Sequence, residues 1–499
     1  MKLKSLKNKT NLFLLGLIGL TILLRIPALF EPYWHGDEGI YFTVGQRIFS
    51  GDLLYGDVYD NKPPIIYLIF GAAKTIFTVR LISTVWVVAT LILIFKFAHQ
   101  IAQKLKLRPL LFAAISGIVF SILASTPVIE ANTSNGELWF ILPTTTGMYL
   151  LFLHLQKRLP DWELILMGLL FSAATLIKVP AITDFAAAGI MLLIFGKNVK
   201  QQKIRDVLLI GTGFVFPWIV TSIYFILNNS FSLFYKATFT DTSSYVDYQN
   251  RFLIPQGLLI IKGFLTLAVT GLFYIFSKRL GLAKSFIFIW LTFSLLGALI
   301  GGRNYTHYLI QAVPAFSLAI GLLAAEVNLS LKTKIYNQVF YTLVVLIIFK
   351  LVVNWVDFPT YQIKNYYKNF IDYKLGNKDY ISYIRWFDTR TERLETITSY
   401  LKSNTSNDEA IYVWGNEADI YHLSGRRPVG RYITAYHLFS VPGAKEYTLK
   451  QLENNPPNYI VQITNLDEKL IEMDTFIETR YQKIFEVDSA AILKIRFQK

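Results

Sequence analysis

The stretch LFLLGLIGLTILLRIPALFEPYWHGDEGIYF, residues 12–42, places two adjacent carboxylates just beyond a long apolar run. The run, residues 12–30, is long enough to cross a hydrocarbon core of roughly 30 Å as a helix. The basic MKLKSLKNKT before it is typical of the start of a signal peptide. However, the apolar run is longer than a signal core, and no small-residue cleavage site follows it. We therefore expect a retained first span, with Asp37 and Glu38 beyond its end.

The composition of the whole chain is that of a membrane protein. Of its 499 residues, 53% are hydrophobic and 17% are charged, whereas soluble proteins have roughly 25% charged residues. In lipid, helices satisfy the backbone polar groups internally. The expected fold is an α-helical polytopic membrane protein of about 11 transmembrane helices, followed by a small C-terminal α/β domain. The expected spans lie near residues 12–30, 80–100, 109–125, 137–154, 162–177, 180–196, 206–227, 256–276, 285–300, 306–325 and 337–355.

The distribution of charge orients these spans. A net charge of +15 in a soluble protein would suggest nucleic acid, but here the basic residues fall in alternate short loops, as the positive-inside rule predicts. We expect no nucleic-acid partner, a multi-pass plasma (inner) membrane location, a cytoplasmic N-terminus and an extracytoplasmic C-terminal domain. The absence of cysteine excludes disulfides and thiolate chemistry. The loops assigned to the cytoplasm contain Lys2, Lys4, Lys7, Lys9, Lys104, Lys106, Arg108, Lys157, Arg158, Lys197, Lys200, Lys203, Arg205, Lys278, Arg279, Lys284, Lys332 and Lys334.

Two extracytoplasmic segments are too long to be turns. The first is the loop at residues 31–79, which we call the first loop and assign to a transmembrane domain at 1–355. The second is the tail, where a tyrosine-rich linker at 356–390, expected at the membrane interface, precedes an α/β domain at 391–499. In that domain the pattern predicts a helix over 394–404 and strands at 410–415, 458–463 and 490–497.

The first loop concentrates groups that can do chemistry. Asp37 and Glu38 open a pattern with helical spacing, and Asp57, Asp60 and Lys62 precede a Pro-Pro pair that favours the start of another helix. Asp37 and Glu38 fit two accounts equally: a helix cap with a first-turn acid, or a general base for an acceptor hydroxyl. Taken alone, the Asp57, Asp60 and Lys62 cluster is better explained as solvated loop charge.

Further polar residues are expected on the same side of the membrane. They are Glu130, Lys178, Arg303 and His307. Snorkelling explains a cation at a span end well for Lys178 and less well for Arg303. If Lys62, Arg303 and His307 converge, they form a site for phosphate. The acids are compatible with binding of a divalent metal, but no His/Cys ligand spacing requires one. We therefore assign no metal ligands and no required cofactor.

Three stretches resemble a known group of proteins. WHGDEGIYFTVGQRIFSGDLLYGDVYDNKPPIIYLI (34–69), GGRNYTHYLIQAVP (301–314) and IYVWGNEADIYHLSGRRP (411–428) look like parts of bacterial membrane glycosyltransferases of the GT-C superfamily. These are relatives of protein O-mannosyltransferases and lipid A aminoarabinose transferases. The resemblance extends from end to end of the chain. No WWDYG-like motif occurs in the tail, which argues against N-glycosylation of asparagine sequons.

The resemblance implies an inverting transferase of hexosyl or pentosyl groups that acts on the extracytoplasmic face. The donor would be a polyprenyl-phosphate sugar. The acceptor would be a hydroxyl or amine on a lipid, polysaccharide or protein. Asp37 would be the base and Glu38 the second acid, while Lys62 would bind donor phosphate, with Arg303 and His307 on the phosphate side. Asp60, Glu130 and Lys178 remain further candidates.

Two other classes of function compete with this interpretation. A transporter or flippase of lipid-linked saccharide would concentrate its charges near the midplane of the bilayer, on broken helices within repeated halves. The spans here are nearly free of charge, and no internal repeat is visible. The third class, a scaffold of the cell envelope whose tail binds partners, would not explain the cluster of charged residues in the first loop.

The predicted orientation has a direct test. A reporter that is active only outside the cytoplasm, fused after Lys499, should be active, because the lysine-rich loops assign the tail to the exterior. The same reporter fused after Lys106 provides the control and should be inactive. Cytoplasmic labelling of the tail would contradict both the topology and the side assigned to the first loop.

Overall fold

The computed structural model describes residues 2–196, 199–241, 259–301, 305–327, 363–407, 409–466 and 469–496. Its residues group into two compact units. The helical unit comprises residues 1–28, 81–221 and 249–363, and the mixed unit comprises residues 29–80, 222–248 and 364–499. The first loop thus belongs to the same compact unit as the C-terminal α/β domain. The domain boundaries drawn from sequence at 355 and 390 stay predictions.

Helices dominate the described residues, and short strands occur near the C-terminus. The helices are α1 (Lys2–Arg25), α2 (Gly36–Phe49), α3 (Ile65–Ala73), α4 (Ile76–Lys104), α5 (Pro109–Leu123), α6 (Gly136–Gln156), α7 (Asp161–Ile177), α8 (Ile182–Phe195), α9 (Lys200–Leu227), α10 (Phe231–Tyr235), α11 (Leu259–Ile275), α12 (Ser277–Leu280), α13 (Leu282–Leu299), α14 (Val313–Val327), α15 (Ile363–Lys374), α16 (Tyr380–Arg385), α17 (Arg390–Asn404), α18 (Asp419–Ser424), α19 (Ala435–Ser440), α20 (Ala444–Asn454) and α21 (Ile471–Arg480). The strands are β1 (Ala410–Trp414), β2 (Arg427–Pro428), β3 (Tyr459–Ile463), β4 (Tyr481–Val487) and β5 (Ala490–Ile495).

The helices confirm a multi-pass membrane fold. In the described part of the chain, six helical segments are long and apolar enough to cross a membrane: Lys9–Phe30, Ile76–Lys104, Gly136–Gln156, Lys200–Leu227, Leu282–Leu299 and Thr306–Glu326. Helical segments also occupy the other predicted spans up to 306–325. The span predicted at 337–355 lies outside the described residues, and the total of about 11 crossings stays a prediction.

In the helical unit, polar side chains inside the apolar bundle are bound to their neighbours. Arg25, near the end of α1, donates to the hydroxyls of Ser83 and Thr84 and to the carbonyl oxygens of Ala124 and Ala131. These bonds join α1 to α4 and to the turn after α5. Without them, a buried guanidinium in an apolar bundle would be strongly destabilising.

The C-terminal part of the mixed unit is a small α/β domain, as predicted. Its five-stranded sheet has the order β2-β1-β3-β5-β4. β1 pairs in parallel with β2 and β3, whereas β5 runs antiparallel to β3 and β4. The predicted helix at 394–404 and the strands at 410–415, 458–463 and 490–497 are all present. β2 and β4 were not predicted, because β2 is two residues long and β4 is largely exposed.

The first loop folds into two helices in close contact. α3 begins directly after the Pro63-Pro64 pair, as predicted, and it packs against α2. The two helices meet at glycines: a Cβ on Gly45 would lie 2.5 Å from the backbone nitrogen of Gly71. Only glycine allows this approach, so the pair Gly45 and Gly71 fixes how α2 lies on α3.

The C-terminal domain holds the first loop through backbone contacts. The amide of Tyr59 donates to the carbonyl oxygen of Arg431 (2.9 Å), and an isolated parallel bridge joins Tyr59 to Tyr432. On α2, the Thr43 hydroxyl donates to the carbonyl oxygen of Ala418 (2.7 Å). The first loop is therefore held by the domain at two separate places.

Candidate active site

Asp60 is the centre of a buried polar cluster in the mixed unit. Its side chain has no solvent exposure. One oxygen, Oδ2, accepts from the Tyr67 hydroxyl (2.8 Å) and from the Lys62 ammonium (3.2 Å). The other, Oδ1, accepts from His437 Nε2 (3.2 Å) and from the Tyr436 hydroxyl (3.3 Å). A carboxylate has about four acceptor sites. Asp60 is therefore fully engaged as an anchor and is poorly suited to take a further proton.

The protonation states in this cluster follow from its contacts. Burial alone would raise the pKa of Asp60, but the Lys62 ammonium and the bonds from His437 and Tyr67 outweigh it and hold that pKa below its usual range. Burial lowers the pKa of His437 despite the adjacent carboxylate, so at neutral pH the ring is neutral. Because ionised Asp60 only accepts, His437 Nε2 must carry the hydrogen, and Nδ1 accepts from the Thr434 hydroxyl (2.8 Å).

Asp37 and Lys62 form the accessible part of the same cluster. Lys62 Nζ lies 4.0 Å from Asp37 Oδ1, and the two side chains are 13% and 27% exposed. That separation is too long for a hydrogen bond, so the pair is loosely coupled. The Tyr41 hydroxyl donates to Asp37 Oδ2 (3.1 Å), and the Lys62 ammonium lies 5.1 Å from the centre of the Tyr41 ring.

The position of Asp37 excludes the helix cap but keeps the first-turn acid of the structural account. The cap position of α2 is occupied by His35, and Asp37 lies inside the first turn. Asp37 therefore does not cap the helix. Its carboxylate is a first-turn acid, a favourable position for a negative charge, and the choice between this structural role and a general base stays a prediction.

Glu38 has a different environment from Asp37, although the two are adjacent. It is 1% exposed. Its two carboxylate oxygens accept from Arg80 at 3.1 and 2.5 Å. Arg80 also approaches Glu31, which accepts from Trp34 (2.8 Å) and Tyr366 (2.5 Å). The environment of Glu38 is that of a buried ion pair which holds the start of α2 in place.

The helical unit contains the other candidate residues that the structure describes. His307 Nδ1 lies 2.8 Å from Glu130 Oε2. The Lys178 ammonium lies 2.5 Å from Glu137 and 4.4 Å from the centre of the Tyr308 ring. Lys178 is thus held in a buried ion pair, beyond the membrane-anchor role that snorkelling would give it. Arg303 lies outside the described residues, and its convergence with Lys62 and His307 stays a prediction.

Glu130 and His307 are both ligand types that a divalent metal accepts. The choice between a metal-dependent and a metal-independent site also stays a prediction.

Several residues that contact the first-loop acids were not predicted from the sequence. Arg80 lies at the start of a predicted span, where a charge in an apolar run was the available signal. His437 is 377 positions from Asp60. Tyr436 adjoins it, and both lie in a six-residue helix that has no periodic pattern. No rule of spacing connects them with the first loop.

Comparison with known proteins gives matches at two levels. Residues 390–492 match the protein family described as "Putative competence-induced protein Ccs4 C-terminal domain". No curated protein matches the chain by sequence. Among solved structures, ArnT from Cupriavidus metallidurans bound to undecaprenyl phosphate is similar with a TM-score of 0.58 and 12% identity, over 96% of this chain and 97% of that one. Its apo state gives 0.57 and 13%, over 98% of both chains.

A third similar structure is the apo Archaeoglobus fulgidus oligosaccharyltransferase, with a TM-score of 0.50 and 11% identity, over 91% of this chain and 69% of that one. ArnT and this enzyme are GT-C proteins. This chain has the GT-C fold. The resemblance seen in the sequence is therefore confirmed at the level of fold.

The mixed unit contains one further buried acid next to α2. Asp419, the first residue of α18, is 1% exposed, and neither carboxylate oxygen has a hydrogen-bond partner among the described residues. A Cβ on Gly39 would overlap this carboxylate, so Gly39 is what allows α18 to approach α2. Burial raises the pKa of Asp419 to about 7, with Arg390 opposing the shift and Glu417 and Glu38 adding to it.

Asp419 should make the stability of the protein depend on pH. The unfolded chain loses this proton near the ordinary pKa of 3.8, whereas the folded chain keeps it up to about pH 7. The wild type should therefore lose stability as the pH rises from about 4 to about 7, by on the order of a few kcal/mol. Asp419→Asn should reduce this loss and raise Tm at pH 8 relative to the wild type.

The measurement is Tm of both proteins in one detergent between pH 4.5 and 8. Asp57→Asn is the control, because Asp57 is an exposed first-loop acid that accepts from the Leu53 amide (2.9 Å). It should leave the shape of the pH profile unchanged. A wild-type Tm that rises from pH 4.5 to 8, with Asp419→Asn less stable throughout, would contradict the assignment.

Proposed function

We propose that the chain is a glycosyltransferase that moves a sugar from a polyprenyl-phosphate carrier to an acceptor hydroxyl or amine on the extracytoplasmic side of the membrane. The observation that supports this most directly is the pair Asp37 and Lys62. An accessible carboxylate lies 4.0 Å from an ammonium whose position is fixed by a buried acid, Asp60. A base and a phosphate-binding cation are what this reaction requires on the enzyme.

The comparisons support the same class of donor. The ArnT structure holds undecaprenyl phosphate, and that enzyme is a lipid A aminoarabinose transferase. The GT-C fold is shared over nearly the whole length of both chains. Fold alone does not determine the reaction, so the proposal depends on the first-loop geometry, with the comparison as support.

In the proposed step, Asp37 accepts the proton of the acceptor O–H or N–H group as that atom attacks the anomeric carbon. The new bond to the sugar forms while the bond from the anomeric carbon to phosphate oxygen breaks, with inversion of configuration. The electron pair of the broken bond leaves with the polyprenyl phosphate. Lys62 donates to the phosphate and stabilises the charge that develops on it.

Within this mechanism the remaining acids have positioning functions. Glu38 is bound to Arg80 through both carboxylate oxygens, so we assign it to the placement of α2, and thereby of Asp37. Asp60 holds the ammonium of Lys62. The sequence had grouped Glu38 with Asp37 as catalytic, and the exposure of the two side chains now separates their proposed roles.

Asp37→Asn tests the base. The amide keeps the shape of the side chain but cannot accept the proton, so turnover of a polyprenyl-phosphate sugar should fall by roughly 10²–10⁴-fold with Tm unchanged. Asp57→Asn serves as the control, because it makes the same change in a first-loop acid that lies outside the buried polar cluster around Asp60. A stable Asp37→Asn protein with near-normal turnover would refute the catalytic role. A flippase of lipid-linked saccharide needs no base, so transport of the lipid-linked saccharide by such a protein would also tolerate this change.

Lys62→Ala tests the binding of donor phosphate. Loss of a charge-assisted bond should weaken the affinity for undecaprenyl phosphate by about 10- to 100-fold, because such a bond is worth about 1.5–3 kcal/mol. Lys62→Arg keeps the charge but changes its geometry and should give an intermediate affinity. Binding is measured on the purified chain in nanodiscs, with Tm as the check on folding. Unchanged affinity in folded Lys62→Ala protein would remove Lys62 from the phosphate site.

A further inference from the structure

The anchor of Lys62 is completed by side chains from the C-terminal domain. Asp60 has two first-loop donors, Lys62 and Tyr67, and two domain donors, His437 and Tyr436. When a buried carboxylate loses a donor, its vacated acceptor site has neither water nor a hydrogen bond. The folded state is then destabilised unless the carboxylate moves to another partner. The orientation of Asp60, and with it that of the Lys62 ammonium, is therefore set jointly by both parts of the chain.

The domain donors are neutral, which matters for anion binding. His437 is uncharged near neutral pH because burial lowers its pKa, and the hydroxyls of Tyr436 and Tyr67 bring no charge. Hydrogen bonds from neutral donors stabilise ionised Asp60 without adding a second cation. These donors stabilise part of the negative charge of Asp60, so that part is not neutralised by Lys62. The Lys62 ammonium therefore attracts an anion more strongly.

The neighbouring backbone makes the arrangement rigid. Tyr59, one residue before Asp60, is bonded to Arg431 and bridged to Tyr432. Its hydroxyl also donates to Asp241 (2.9 Å). His437 packs edge-on against the Tyr59 ring, with centroids 5.1 Å apart. A shift of His437 is therefore transmitted to the segment that contains Asp60 and Lys62.

We infer that His437, with Tyr436 in support, is a positioning residue of the donor-phosphate site, and that the C-terminal domain is thereby part of the active site. This inference rests on the proposed function, in which Lys62 binds the phosphate of the polyprenyl carrier. His437 does not itself contact the donor in this account. It acts through Asp60 on the position and effective charge of Lys62.

The test compares two probes that differ only in the phosphate. Affinities for undecaprenyl phosphate and for undecaprenol are measured with the full chain in nanodiscs, and their ratio isolates the phosphate contact. In His437→Leu the preference for the phosphate should fall about 3- to 10-fold, within the usual range of coupling between contacting residues. Affinity for undecaprenol should not change. Tyr436→Phe deletes one hydroxyl and should lower the preference about 2- to 3-fold.

A double-mutant cycle distinguishes positioning from general damage. When Lys62 is already alanine, His437→Leu should cause no further loss of phosphate preference, because its effect passes through Lys62. His422→Leu is the matched control. His422 is another largely buried histidine of the domain, stacked on Phe42 of α2 with its Nδ1 3.1 Å from Gln46 Oε1. It should leave the preference unchanged at comparable Tm.

Three results would overturn the inference. An unchanged preference in His437→Leu and Tyr436→Phe would remove the domain from the site, and if His437→Leu does not fold, Tyr436→Phe alone decides the question. An equal further loss in the Lys62→Ala background would show that His437 acts independently of Lys62. A wild-type chain with no preference for the phosphate would refute the proposed function itself, together with this inference.

Discussion

A carboxylate that water does not reach must be surrounded by donors, and Asp60 imposes this requirement on the mixed unit. It draws Lys62 and Tyr67 from the first loop and Tyr436 and His437 from the C-terminal domain. Were any of these donors removed without replacement, the buried charge would be destabilising by about 1–3 kcal/mol or more. The close packing of the loop on the domain, at Tyr59 and Thr43, is consistent with that requirement. The loop and the domain have to be considered together as one folded structure.

Burial then divides the first-loop acids into different kinds of group. Glu38 and Asp60 are enclosed, and each is paired with a cation, so we assign both to structural roles. Asp37 is 27% exposed and is only loosely coupled to Lys62. An enzyme that removes a proton from an acceptor needs a carboxylate that the acceptor can reach. In the proposed mechanism, adjacent residues of one motif therefore have separate functions, because α2 points their side chains into different surroundings.

Local patterns allowed much of this arrangement to be predicted. The long apolar runs predicted the helices, the Pro63-Pro64 pair predicted the start of α3, and short apolar stretches predicted β1, β3 and β5. The sequence placed Asp37, Asp60 and Lys62 in one loop, but it grouped Asp60 and Lys62 with Asp57, which instead accepts from the Leu53 amide. The donors His437 and Tyr436 were not predictable, because their relation to Asp60 depends on a tertiary contact between distant segments. The difference in environment between Asp37 and Glu38 was also not predictable, because it depends on where Arg80 lies in space.

The central claim is that Lys62, held by Asp60 and the C-terminal domain, receives the phosphate of a polyprenyl carrier. The most direct measurement is an electron cryomicroscopy structure of the chain in nanodiscs with undecaprenyl phosphate. The account predicts phosphate density within hydrogen-bonding distance of Lys62 Nζ, with Asp60 still bound to His437 and the Asp37 carboxylate near the bound phosphate. A phosphate bound elsewhere, with the contact between Lys62 and Asp37 unchanged, would contradict the account.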